Sequence, residues 1–237
     1  MLRKLFKDTI IYGIATVLPR VLTLLLTRLY VNKLDTADFG IYSGLFVYLI
    51  LGNVLLSYGM ETAFFRFMNK GEQKKKVQST ALTSLTISSL FFLLIAYLLR
   101  HFIASWLNYD VQYIVFAIYI LVLDALVVIP FAWLRNKGKA KLYAMVKIGN
   151  TALNLALNIY YLNYLSAENL ATNGGVYYIF LANVIASLAT FIVLLPIYLK
   201  IRFKFYYPLW KEMMIYAFPV LLAGIAFAVN EGVDRVF

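Results

Sequence analysis

Residues 111–134 read VQYIVFAIYILVLDALVVIPFAWL and contain a single charged side chain, Asp124. A run of this length can cross a membrane, because an α-helix needs about 20 apolar residues to span a hydrocarbon core about 30 Å thick. Similar runs recur along the chain and predict seven membrane-spanning helices. We place these spans at residues 9–31, 39–60, 78–99, 111–134, 148–165, 176–199 and from 213 onward.

The composition of the chain supports this interpretation. Of its 237 residues, 63% are apolar and 14% are charged, and the mean hydropathy is +0.79. A soluble domain of this size has too little interior to bury so much apolar surface. Lipid offers no hydrogen-bond partner to an open sheet edge, so the spans are expected to be helices. The sequence therefore predicts an all-α integral membrane protein.

The positive charges are distributed unevenly along the chain. There are 22 lysine and arginine residues against 11 aspartate and glutamate residues, a net charge of +11. Of these 22 basic residues, 17 precede the first span or lie in the second, fourth and sixth loops. The positive-inside rule then predicts a multi-pass protein of the cytoplasmic (inner) membrane with a cytoplasmic N-terminus. Topology accounts for the basic excess, and we expect no nucleic-acid partner.

The residues that most catalytic and metal sites require are scarce. The chain contains no cysteine and one histidine, His101, which excludes disulfides, thiol nucleophiles and multi-histidine metal sites. The loops hold no phosphate-binding glycine motif, no serine elbow and no pair of acidic residues. The sequence therefore predicts a protein that is not an enzyme and needs no cofactor.

The first span carries a polar stripe. Arg20 lies near its middle, and Thr16, Thr23 and Thr27 fall on the same helical face. Arg28 is offset from the stripe and closer to the outer end, where its side chain can reach the interface. An ionisable group within a span costs from about 2.5 kcal/mol, so each arginine needs a ligand, a partner on another helix or a lipid headgroup.

Asp124 is the acidic residue at the middle of the fourth span. At that depth a carboxyl group is protonated, paired with a basic residue such as Arg20, or exposed to water. The first and last cases suit an ion-coupled carrier, whereas the second is purely structural. Asp124 is therefore the candidate ion-coupling residue.

The fifth span has a polar, amide-rich face at near-helical spacing, formed by Lys147, Asn150, Thr151, Asn154, Asn158 and Tyr161. Single amides in membrane helices often hydrogen bond to a neighbouring helix, at about 0.6 kcal/mol each. A row of three amides also fits the wall of a hydrophilic cavity that accommodates sugar hydroxyls. Both interpretations remain open at this stage.

The end of the second span leads into the longest loop. Glu61 and Arg66 are expected to form a local ion pair there. Residues 64–77 are expected to include a short interfacial helix that places Phe64, Phe65 and Phe67 against lipid headgroups.

Three segments carry a resemblance to a known family. They read YGIATVLPRVLTLLLTRLY at residues 12–30, DFGIYS at residues 38–43 and YGMETAFFRF at residues 58–67. In order and spacing the chain resembles the polysaccharide-biosynthesis flippases of the Wzx type. These belong to the multidrug/oligosaccharidyl-lipid/polysaccharide exporter superfamily.

The resemblance implies a MATE-like flippase fold of two six-helix lobes around a cavity that opens alternately to either side. It implies that residues 1–205 are the N-terminal lobe and that residues 206–237 begin the second lobe, so that the chain is the first half of a longer protein. Family members move undecaprenyl-pyrophosphate-linked oligosaccharide without ATP. Cavity cations are thought to meet the pyrophosphate, which makes Arg20 and Arg28 the first candidates.

The resulting expectation is a flippase for surface polysaccharide such as the O-antigen of lipopolysaccharide. Its partners would be a lipid-linked oligosaccharide, membrane lipids and the glycan polymerase or ligase machinery. The alternatives are a drug or cation exporter of the same superfamily, an integral-membrane glycan-modifying transferase, and a structural subunit of a glycan-export complex. The candidate substrate-binding residues are Arg20, Arg28, Thr16, Thr23, Asn150, Asn154 and Asn158.

Overall fold

The computed structural model of the chain describes residues 2–71, 73–164 and 167–236. Over these ranges the regular secondary structure is α-helical throughout, which confirms the predicted all-α class. The helices are α1 (Leu2–Lys33), α2 (Thr36–Ser57), α3 (Met60–Lys70), α4 (Lys74–Leu98), α5 (Arg100–Leu107), α6 (Val111–Asn136), α7 (Ala140–Tyr164), α8 (Ala167–Lys200) and α9 (Tyr207–Val236).

Within the described ranges, six segments are long and apolar enough to cross a membrane. They match six of the seven predicted spans, and α7 is the exception because polar residues lower its hydropathy. Helix α7 begins at Ala140, ahead of the predicted start of this span at residue 148, and contains Lys147. The six segments are Asp8–Lys33, Thr36–Lys70, Lys74–Leu98, Val111–Asn136, Gly174–Lys200 and Tyr207–Gly232.

Helix α7 nevertheless runs the length of the bundle, packed along α1 and α8. Near the start of both helices, the rings of Tyr12 and Tyr143 pack edge to face with centroids 5.5 Å apart. Near the end of both, Tyr30 and Leu162 belong to the same apolar cluster. The helices α1 and α7 are therefore parallel, and the polar face of α7 is turned toward its neighbours in the bundle.

The basic loops meet at one end of the bundle, which we call the basic end. The guanidinium of Arg135, at the end of α6, donates to the carboxylate of Glu61 at 2.8 Å, next to the start of α3. The hydroxyl of Ser79, near the start of α4, accepts from the backbone N–H of Lys204 at 2.8 Å. These contacts bring together the second, fourth and sixth loops, in agreement with the charge pattern.

Serine hydroxyls of α4 connect distant helices inside the apolar bundle. Ser79 Oγ also lies 2.6 Å from the carbonyl oxygen of Arg202, in the segment between α8 and α9. Ser84 Oγ accepts from the indole N–H of Trp210 at 2.8 Å and lies 2.7 Å from the hydroxyl of Tyr58. These bonds satisfy polar groups that would otherwise be costly to bury.

The chain turns sharply between α2 and α3 through two residues in the left-handed region. Their φ angles are 35° at Tyr58 and 69° at Gly59. The following helix packs against α4, α6 and α9, so Phe64 is fully buried and Phe65 and Phe67 are partly buried against the same cluster. The prediction that Phe64 faces lipid headgroups is therefore wrong, because the turn directs α3 back onto the core, whereas Phe65 and Phe67 remain partly exposed.

The predicted ion pair between Glu61 and Arg66 is also absent from the described part of the chain. Glu61 pairs with Arg135 instead. The guanidinium of Arg66 lies over the ring of Tyr216, 4.0 Å from its centroid. Proximity in sequence suggested the pair, whereas packing against α6 and α9 provides each side chain with a different partner.

Candidate functional site

Three adjoining cavities form a polar track within the bundle. The vestibule, about 510 Å³, lies nearest the basic end. The middle cavity, about 560 Å³, shares Tyr143 and Lys147 with the vestibule. The inner cavity, about 220 Å³, extends the track toward Tyr30 and Tyr42. It shares four lining residues with the middle cavity: Asn53, Asp124, Asn150 and Thr151.

Asp124 lies on α6, where it lines both the middle and the inner cavities. Its carboxylate accepts a hydrogen bond from Ser187 Oγ of α8 at 2.8 Å and another from the side chain of Asn53 on α2. Among the described residues Asp124 and Arg20 form no ion pair. The carboxyl group of Asp124 therefore lies in a cavity wall, where neutral groups donate hydrogen bonds to it.

The three asparagines of α7 have different environments. Asn150 donates to Thr190 Oγ1 of α8 at 2.9 Å and also lines the middle and inner cavities. Asn154 lines the inner cavity. Asn158 is fully buried behind it and donates to Asn154 Oδ1 at 2.6 Å. Interhelical bonding and cavity lining, the two interpretations of this row, therefore coexist at Asn150.

The threonines of α1 reach two of the cavities. Thr16 lines the vestibule and Thr23 lines the inner cavity. Each hydroxyl donates to the carbonyl oxygen four residues earlier at 2.9 Å, which leaves its oxygen free to accept a further hydrogen bond. Both threonines therefore present acceptors to the track.

The two arginines of α1 are exposed, and neither is among the lining residues of the three cavities. Arg20 lies between Thr16 and Thr23 along the helix and on the same side. Arg28 lies among exposed apolar residues such as Leu24, on the side away from buried Leu26. The structure thus brings Thr16, Thr23, Asn150, Asn154 and Asp124 to the track and leaves Arg28 apart from it.

Two cations not proposed as ligands from the sequence line the vestibule. Lys147 Nζ lies 3.4 Å from the hydroxyl of Tyr143, and within the described ranges it pairs with no carboxylate. Arg135 bonds to Glu61 and lies over the ring of Phe65, 4.8 Å from its centroid. The sequence pattern placed Lys147 on the polar face of the fifth span and Arg135 in the fourth loop, and the positive-inside pattern already accounted for both charges.

Asn53 is a further residue that the sequence pattern did not reveal. It is the lone amide in the apolar run LILGNVLL at residues 49–56, so it forms no stripe with other polar residues. The isolated position is nevertheless a signal, because an unsatisfied amide in a membrane helix is costly. In the fold its side chain meets Asp124 at the junction of two cavities.

The chemistry of the track is that of a binding surface. Amides and hydroxyls supply most of the polar groups of the middle and inner cavities, among apolar side chains, and two cations lie near the mouth of the track. In the described part of the chain, no group of three or more histidine, cysteine, aspartate or glutamate residues is placed to hold a metal ion. The arrangement suits a neutral, hydroxyl-rich ligand that carries an anionic group.

Comparison with known proteins identifies a family. The sequence profile described as polysaccharide biosynthesis protein matches residues 5–237. No curated protein and no solved structure matches the chain. The profile match agrees with the resemblance carried by residues 12–67 and extends over every helix that lines the track.

Proposed function

The chain belongs to the polysaccharide biosynthesis protein family, and we propose that it is a flippase for a lipid-linked oligosaccharide. The cargo would be an oligosaccharide on undecaprenyl pyrophosphate, moved across the cytoplasmic membrane toward a surface polysaccharide such as O-antigen. The observation that carries this proposal is the polar track enclosed among apolar, membrane-spanning helices.

The glycan would occupy the middle and inner cavities. Asn150, Asn154 and Asn53 present side-chain amides there, and Thr23 presents a hydroxyl oxygen. Amides both donate and accept, so they match sugar hydroxyls, which also do both. Uncharged partners of this kind can hold a sugar without binding it so strongly that release is prevented.

The pyrophosphate would be attracted to the vestibule. Lys147 projects there without a described acidic partner, and Arg135 lies beside it. Both cations are exposed, and together they raise the local concentration of an anionic group at the mouth of the track. Arg20 extends this positive region along α1, whereas Arg28 contributes least because it lies on the opposite side.

Asp124 is proposed to couple transport to an ion or a proton. Its carboxylate sits where the middle and inner cavities meet, with neutral donors from Ser187 and Asn53. A change of its charge would alter the hydrogen bonds of both neighbours at this junction. Such a position can link occupancy by a small ion to the shape of the track.

We also propose that residues 1–205 form one lobe and that residues 206–237 begin a second. In the described structure α9 packs on α2, α3 and α4, so it joins the first lobe along one side. Its other side exposes large apolar residues including Ile215, Phe218 and Leu222.

A drug or cation exporter of the same superfamily is the second candidate, and Asp124 in the track is the feature that favours it. The purified chain should distinguish the two by native mass spectrometry. Undecaprenyl-pyrophosphate-linked disaccharide is expected to bind more tightly than undecaprenyl monophosphate, and a lipophilic cation should not displace it. Selective binding of the lipophilic cation would instead support the exporter, and turnover of a glycan donor by the same sample would support a transferase.

A further inference from the structure

A fourth cavity, which we call the α3–α9 pocket, opens at the basic end. Its volume is about 800 Å³, and it shares no polar lining residue with the three cavities of the track. Its walls come mainly from α3 and α9, with Gln73 and Val77 at the start of α4. The candidate transport residues make no contribution to it.

The charges of the pocket are arranged on opposite walls. Arg66 and Lys70 come from α3, whereas Glu212 comes from α9. Among the described residues none of the three forms an ion pair. The ring of Tyr216 lies 4.0 Å from the Arg66 guanidinium and holds it at the pocket wall. The pocket thus offers two cations and one carboxylate to a ligand.

The deeper part of the pocket is apolar. Glu212 and Val220 both line it, and eight residues of helix separate them by about 12 Å along α9. The intervening lining residues Ile215 and Pro219 are apolar, and the side chain of Ile215 is 66% exposed. The pocket therefore passes from a charged mouth to an apolar wall on α9, a helix that is long and apolar enough to cross a membrane.

We propose that the α3–α9 pocket binds a membrane phospholipid with a zwitterionic headgroup, such as phosphatidylethanolamine. The phosphate would lie against Arg66 and Lys70, where a guanidinium can donate two parallel hydrogen bonds. The ammonium group would reach Glu212 on the facing wall. An acyl chain would follow Ile215, Pro219 and Val220, a surface that a soluble phosphate would leave unused.

The test compares phosphatidylethanolamine and phosphatidylglycerol with identical acyl chains, added to the purified chain and measured by native mass spectrometry. The wild type should favour phosphatidylethanolamine. The double variant Arg66→Gln with Lys70→Gln should weaken binding of both lipids by about tenfold, the effect of losing a charge-assisted hydrogen bond. Glu212→Gln should abolish the preference while phosphatidylglycerol still binds.

Lys211→Gln is the matched control, because Lys211 is an exposed neighbour of Glu212 that does not line the pocket. It should bind both lipids as the wild type does, and circular dichroism should show equal helix content for all variants. Equal losses in Lys211→Gln and the double variant would overturn the proposal. So would an unchanged preference in Glu212→Gln, or displacement of the lipid by inorganic phosphate.

Discussion

The neighbouring helices α1 and α7 run parallel, and each has a polar stripe, yet of the two only α7 lines the middle cavity and brings a cation, Lys147, to the track. The arginines of α1 are exposed, and its apolar residues, such as Val17 and Leu24, are exposed as well. Helix α7 is less apolar, but its Asn150 and Lys147 line the track. The hydropathy of a helix therefore predicts how readily it can contact lipid. The helices packed beside it determine which of its polar side chains line a cavity.

The largest effect is expected from a test of whether α7 crosses the membrane as α1 does. Single cysteines replacing Lys141 and Tyr164 mark the two ends of α7, and the chain has no native cysteine to interfere. In intact cells an impermeant thiol reagent should label Tyr164→Cys, whereas Lys141→Cys should react only after permeabilisation. Asp35→Cys, just beyond α1, should label like Tyr164→Cys. Equal labelling of Lys141→Cys and Tyr164→Cys would show that α7 does not cross.

The next largest effect is expected when the positive charge of Lys147, on α7, is removed. Lys147→Gln should weaken binding of the pyrophosphate-linked disaccharide by about tenfold or more, because a charged hydrogen bond contributes about 1.5–3 kcal/mol. Lys147→Arg should retain most of the affinity, since it keeps the charge. Lys141→Gln removes an equally exposed charge from the same helix, but Lys141 does not line the track, so affinity should change by less than about twofold. If Lys147→Gln bound the disaccharide as tightly as the wild type does, Lys147 would not bind the pyrophosphate, and the anion site would lie at the arginines of α1 instead.

Substitution of the two arginines of α1 should have smaller effects on transport, and the two effects should differ. Arg20→Ala should lower transport several-fold at normal membrane abundance, and Arg28→Ala should lower it less. Because Arg20 and Asp124 form no described ion pair, the stability changes of Arg20→Ala and Asp124→Asn should add within about 0.5 kcal/mol. If the two residues formed a buried ion pair, each single variant would instead lose about 3–5 kcal/mol of stability, and the double variant would not show this loss. Thermal unfolding in detergent separates these outcomes.

The smallest effect is expected at Asn158, the amide of α7 that does not line the track. Its Oδ1 has no partner among the described residues, so Asn158→Leu removes two hydrogen bonds to oxygens of Asn154 and one unpaired buried oxygen together. The free energy of unfolding should change by about 0.6 kcal/mol or less. Asn150→Leu removes the bond to Thr190 and a cavity amide, and it should reduce ligand binding more. If Asn158→Leu reduced ligand binding more than Asn150→Leu did, the ligand would have to lie near Asn158 rather than in the track.

The fold class and six spans were predictable because hydropathy is a local property of the sequence. The pairing of Glu61 with Arg135 was not, since it joins residues 74 positions apart. The burial of Phe64 had a local signal, because Met60, Phe64 and Met68 recur every four residues and form one apolar helical face. Their proximity to basic residues favoured an interfacial position instead, and tertiary packing decided otherwise.

The candidate site was likewise predictable in its local pattern but not in its tertiary contacts. The stripes on α1 and α7 follow from helical spacing, and the structure places Thr16, Thr23, Asn150 and Asn154 along one track. Which side of each stripe faces inward depends on the helices packed beside it, so Arg20 could not be distinguished from Thr23 by sequence. Lys147 was predicted on the same helical face as Asn150, but its charge could not be distinguished by sequence from the other basic residues around it.

The serine contacts of α4 set an order of events during synthesis. Ser79 precedes Lys204 by 125 residues and Ser84 precedes Trp210 by 126. At a translation rate of about 5–20 residues per second, α4 waits about 6–25 s for these partners. During that interval a serine hydroxyl can donate to a backbone carbonyl of its own helix, an arrangement that α4 tolerates. The full set of these serine contacts is therefore completed only after the ribosome has reached α9.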